Sequence, residues 1–84
     1  MKVSLKLFAT LTGHLPAGDR RAGQTQVEVA TGCTVAGLIA QQGLPPAQCT
    51  LVLVNGKFIA PADHGRKALA EGDVVAIWPP VGGG

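Results

Sequence analysis

The chain has 84 residues, 46% of them hydrophobic and 14% charged, with a formal net charge of +2. That describes one small domain with enough apolar residues for a core, and it excludes a disordered polar chain. Nucleic-acid binding is not indicated, because the basic pairs Arg20-Arg21 and Arg66-Lys67 are short and have no aromatic platform beside them.

The first element is "KVSLKLF", in which Val3, Leu5 and Leu7 alternate with Lys2, Ser4, Lys6 and Phe8. Period two predicts a strand with one buried face, and Phe8 is the apolar exception on the other face. Thr12 to Gly23 is rich in glycine and carries "DRR", which predicts a loop. "TQVEVA" alternates again, with Val27 and Val29 inward, and is expected to pair antiparallel with the first strand.

In "TVAGLIAQQG" the period changes: Val35, Leu38 and Ile39 fall on one helical face. Thr34 is the expected N-cap, and Gly43 before "LPP" the expected stop. Gly37, inside the helix, costs about 1 kcal/mol against alanine and suggests a close approach of the sheet. "LVLVNGKFI" is a hairpin turning on Asn55-Gly56, and "PADHGRKA" is loop. A turn at Glu71-Gly72-Asp73 leads into a strand from Val74 to Trp78, which Pro79 and Pro80 stop.

Strand, strand, helix, strand, strand, strand, with a single helical stripe to cover, predicts an α+β domain. Its mixed sheet of about five strands packs on one helix, with the first and last strands in the middle. This is the β-grasp (ubiquitin-like) arrangement, spanning residues 1–80, with residues 81–84 as a flexible glycine tail.

Few residues offer catalytic chemistry. Cys33 and Cys49 form no C-x-x-C, and His14 and His64 stand alone, so no metal site is expected. Nothing beside either cysteine lowers a thiol pKa in an obvious way, and packing is the better account of both. No apolar stretch approaches the ~20 residues of a membrane span, and "MKVSLKLF" alternates where a signal peptide has an apolar block. A cytoplasmic location is expected.

The tail is the remaining candidate. Gly82, Gly83 and Gly84 have no Cβ and suit a narrow channel, and extension from Pro80 to Gly84 reaches about 13 Å. A bare glycyl carboxylate also leaves its carbonyl carbon open to attack from either side. It is a poor electrophile until activated.

In the order of these pieces the chain resembles the MoaD/ThiS-type sulfur-carrier proteins of molybdopterin and thiazole synthesis. The pieces are "LKLFATL", "TVAGLI", "LVLVNGKFI", "LAEGDVVAIWPPV" and the terminal Gly83-Gly84. Gly82 departs from the alanine or serine of many molybdopterin-type members.

The resemblance implies that an adenylyltransferase of the ubiquitin-activating type uses ATP and Mg to make a Gly84 acyl-adenylate. Sulfur from a sulfurtransferase or cysteine desulfurase then replaces AMP, leaving a thiocarboxylate. The acceptor is a molybdopterin synthase large subunit or a thiazole synthase. No cofactor is bound by this chain, and it is not an enzyme alone but the carrier subunit of a heteromeric synthase. The resemblance leaves open a carrier for thiazole or cysteine synthesis, and a protein modifier conjugated through Gly84. Pro80, Val81, Gly82 and Gly83 are the expected partner-binding tail. Phe8 and Trp78 are the expected exposed anchors on the outer sheet face, unless the Thr12–Gly23 loop covers them.

Overall fold

The computed structural model describes residues 1–80. The order is β1 (Lys2–Leu7), β2 (Gln24–Glu28), α1 (Val35–Gln41), β3 (Leu51–Val54), β4 (Lys57–Ile59) and β5 (Val74–Trp78). The strands form one sheet in the order β2-β1-β5-β3-β4. β1 runs parallel to β5 and antiparallel to β2, and β3 is antiparallel to both β4 and β5. The expected β-grasp architecture is therefore present, with the first and last strands inside the sheet.

Alternation sets what each strand buries. Val3, Leu5 and Leu7 point inward from β1, Val52 and Val54 from β3, and Val75 and Ile77 from β5. The stripe Val35, Leu38 and Ile39 of α1 closes over them, and all belong to one apolar cluster.

The start of α1 accounts for its first three backbone donors. Val35 N–H donates to Lys67 O (3.0 Å), Ala36 N–H to His64 O (2.8 Å) and Gly37 N–H to Thr34 Oγ1 (3.1 Å). The loop read from "PADHGRKA" thus caps the helix through two carbonyls. At the other end Gly43 takes the left-handed conformation, with φ +67°. Gly37 departs from expectation. A Cβ there would meet Cys33 Sγ at 3.3 Å and Thr34 Oγ1 at 3.4 Å, so the close approach comes from the helix's own cap and not from the sheet.

The Thr12–Gly23 segment is also more ordered than a plain loop. 3-10 turns occupy Ala9–His14 and Ala17–Asp19, and Leu11 and Leu15 enter the core. Arg20 pins the segment, donating from Nε to Leu15 O and from Nη2 to Gly13 O, each at 3.1 Å. The chain enters it through Ala9, a non-glycine residue at φ +53°.

Asn55 and Gly56 both have positive φ, as a type I′ hairpin requires. Asn55 also ties that hairpin to the entry of β5. Its Oδ1 accepts from Val74 N–H (2.9 Å), and its Nδ2 donates to Asp73 Oδ1 (2.9 Å). Asp73 Oδ2 accepts from Ala70 N–H (2.8 Å). The Ala70 bond first, then the Asn55 bond, holds the Asp73 carboxyl below the usual aspartate range.

A depressed folded-state pKa means that the folded chain binds fewer protons here than the unfolded chain. The clamp's contribution is complete above the unfolded value of about 3.9 and is lost as pH falls through the folded one. Asp73→Asn should therefore be less stable than the parent at neutral pH and should lose less stability on acidification. Thermal melts between about pH 6 and pH 3 check this; parallel acid losses in the two proteins would mean that Asp73 does not carry the dependence.

Candidate functional site

Val81, Gly82, Gly83 and Gly84 lie outside the described residues. What is described is the root from which they continue. β5 is the middle strand of the sheet, and its last residue, Trp78, is followed by half-buried Pro79 and exposed Pro80. The described chain therefore leaves the sheet from its middle strand, through Pro79 and Pro80.

Phe8 lies beside that root. It is one residue beyond β1 and not within it, but its backbone is still extended (φ −123°, ψ 158°), and its N–H donates to Ile77 O at 3.2 Å. This continues the parallel ladder by one step and brings the Phe8 and Trp78 rings together. They stack with centroids 4.1 Å apart and planes 5° from parallel. Both residues are half-buried. The expectation that they form the exposed patch is thus corrected: the large apolar residues that are well exposed are Leu51 (42%) and Phe58 (56%).

Register joins all four into one surface. Trp78 is opposite Leu51, Ala76 is opposite Leu53, and Leu53 is opposite Phe58. The inward partners are Val75, Ile77, Val52 and Val54, so this second set shares the outer face. On β1 the same face turns polar at Ser4 and Lys6. The result is a half-apolar, half-polar sheet face whose apolar part adjoins the tail root. A contiguous apolar surface of this kind is a mark of a docking site.

Leu51, Leu53 and Phe58 escaped the sequence reading, although a signal for them was present. A strand with one dry face needs apolar residues only at alternate positions, and "LVLV" has them at every position. The surplus residues were outward-facing.

The remaining candidates are inert or structural in place. Cys33 and Cys49 are both free. Cys33 Sγ lies 3.4 Å from Thr34 O, and burial pushes the Cys49 thiol pKa up, away from the reactive thiolate. Among the described residues no group of three or more His, Cys, Asp or Glu stands together to hold a metal, and no helix is long and apolar enough to cross a membrane. His14 is exposed, whereas His64, read in the sequence as a solitary loop residue, is buried.

Comparison with known proteins gives a consistent set of likenesses. The model of the ThiS family matches residues 14–84. SAMP1 from Haloferax volcanii is 30% identical, with both chains covered in full and a TM-score of 0.67. The HVO 2177 protein of the same organism is 25% identical over all of this chain and 87% of its own, with a TM-score of 0.76. A chain in the complex of molybdopterin-converting factor subunits 1 and 2 from Helicobacter pylori gives 21% identity, full coverage of both chains and a TM-score of 0.62, a likeness of fold. A comparison with curated protein sequences returns no match.

The geometry separates free surface from structural aromatic. Phe58→Ser removes an exposed side chain and should change stability by no more than about 0.5 kcal/mol. Trp78→Ala removes half of the stack and part of the buried surface and should cost about 2 kcal/mol. Urea unfolding of the two variants measures both; equal losses would mean that Phe58 is held by the fold and is not free for a partner.

Proposed function

The chain belongs to the ThiS family, and from that premise we propose that it is a sulfur carrier working through the carboxylate of Gly84. Support comes chiefly from the family match running through Gly84 on a fold whose central strand is the last described element before it in the chain. The apolar face beside the strand's end supplies the second requirement, a place for a partner to grip.

The chemistry follows from what a carboxylate lacks. An adenylyltransferase uses ATP and Mg to join AMP to the Gly84 carboxylate, releasing pyrophosphate and creating a good leaving group. The terminal sulfur of a persulfide on a sulfurtransferase or cysteine desulfurase attacks the carbonyl carbon, the bond to the AMP oxygen breaks, and AMP departs. A second thiol then attacks the resulting acyl disulfide. The S–S bond breaks, the thiocarboxylate leaves with both electrons, and the donor side is left as a disulfide. None of these steps asks this chain for a base, a metal or a nucleophile. The free thiols Cys33 and Cys49 fit a reducing, cytoplasmic setting.

We assign the sulfur to molybdopterin synthesis, delivered to a synthase large subunit. The "PPV" before the glycines favours this, and the fold is shared with a chain in a complex of molybdopterin-converting factor subunits 1 and 2. Thiazole or cysteine synthesis uses the same activated tail. A second reading, conjugation of Gly84 to lysines of other proteins, is favoured by the 30% identity to SAMP1 and by the 29% identity to a structure described as small archaeal modifier protein 1.

The test separates tail from fold. Fixing each backbone residue of the tail in a channel costs about 1–2 kcal/mol, which docking of the folded face must offset. The intact protein should support ATP–pyrophosphate exchange by the adenylyltransferase. The chain lacking Gly84 should not, while melting at an unchanged temperature. The free peptide "WPPVGGG" should be a far poorer substrate than the whole protein. Phe58→Ser should weaken adenylyltransferase binding about tenfold or more. Exchange by the truncated chain would defeat the carrier reading, and equal turnover of the peptide would defeat the role of the face. Intact mass then reports sulfur for oxygen at the terminus, and a ladder of lysine conjugates would select the modifier reading.

A further inference from the structure

On the helix side of the sheet a cavity of about 330 Å³ opens between α1 and the loops flanking β3 and β4. Ala36, Ile39 and Ala40 line it from α1, Pro46, Cys49 and Thr50 from the segment before β3, and Pro61 and His64 from the segment after β4. None of these residues belongs to the outer sheet face, so the cavity is separate from the proposed docking surface. No lysine, arginine, aspartate or glutamate lines it. An ion would find no counter-charge there, which restricts the ligand to a neutral molecule.

Thr50 and His64 are the polar side chains of the lining, and His64 is the buried one. It is only 9% exposed, and its Nε2 lies 3.1 Å from the Ile59 carbonyl oxygen. A carbonyl only accepts, so Nε2 must carry the hydrogen, and in the neutral ring Nδ1 is left as an acceptor. Nδ1 has no hydrogen-bond partner among the described residues, yet no sealed-off polar side-chain atom is left unpaired there. Nδ1 therefore keeps some accessible surface, and His64 is one of the residues that line the cavity. An accessible acceptor, walls that are apolar apart from Thr50 and His64, and a volume at the small end of ligand pockets define one kind of occupant.

We propose that this cavity binds a small neutral molecule with a ring-sized apolar body and one N–H or O–H donor, the donor bonding to His64 Nδ1. Phenol and fluorobenzene are matched probes, similar in size and differing in the donor. Both are titrated into the whole isotope-labelled protein at about pH 8, above the ordinary histidine range, and followed by amide and imidazole chemical shifts. Shifts should centre on Ala36, Ala40, Cys49 and His64, leaving Leu53 and Phe58 unmoved. Phenol should bind about three- to tenfold more tightly than fluorobenzene, the worth of one net hydrogen bond.

His64→Phe should abolish that preference while keeping the apolar site. Ala40→Trp, a change at an exposed helix position, should fill the mouth and remove both probes, so the test survives if the His64 variant fails to fold. Equal affinities for the two probes in the parent, shifts centred elsewhere, or undiminished binding in Ala40→Trp would each overturn the proposal.

Discussion

Val75 and Ile77 are fully buried on the inner face of the strand that lies in the middle of the sheet, and that strand is the last element of the described chain. Everything else depends on its insertion between β1 and β3. Until it is in place, β1 and β3 each lack a hydrogen-bonding neighbour, and the helix has no continuous apolar surface to cover. Burying two such aliphatic side chains contributes about 3–6 kcal/mol, a large share of the net stability of a small domain. The segment that carries the candidate chemistry is thus continuous with the segment that completes the fold. A chain with an unpaired β5 would also have no composite outer face, because Trp78 and Ala76 are its central members.

Much of this was legible in the sequence because one-sided burial imposes a period. Val3-Leu5-Leu7, the Val35-Leu38-Ile39 stripe and the Asn55-Gly56 turn each predict their structure from local chemistry, and the order of elements predicts the middle of the sheet. What was not legible depends on contacts distant in sequence. Leu11 and Leu15 become core residues in a loop whose shape is held by 3-10 turns and by Arg20 bonding across its open end. His64 is buried because its carbonyl caps a helix nearly thirty positions earlier. Asn55 predicts its own turn, but its bonds to Asp73 and Val74 depend on strand pairing that no local pattern encodes.

The candidate site divides along the same line. Gly82, Gly83 and Gly84 can be read directly, since residues without side chains point to backbone chemistry. Phe8 and Trp78 were also readable as an aromatic pair on neighbouring strands, but their degree of exposure was not. Stacking consumes one face of each ring. The free apolar area passes to Leu51 and Phe58, which are ordinary strand residues by composition. The distinction matters for energetics. The stacked pair is preorganised and loses little side-chain entropy on docking, whereas Leu51 and Phe58 offer surface still to be removed from water.

That arrangement bears on how the proposed carrier role would divide between face and tail. A partner that gripped only a glycine tail would have little to recognise, because glycine offers neither shape nor charge and loses the most conformational freedom when fixed. A partner that gripped only a distant face would gain nothing for chemistry at the terminus. Placing the face at the end of β5 couples the two, because docking there fixes the point from which about 13 Å of extended chain can reach. The helix side of the sheet, with its neutral cavity around His64, stands outside this coupling. A molecule held there would meet the domain without competing for the outer face on which the proposed partners would dock.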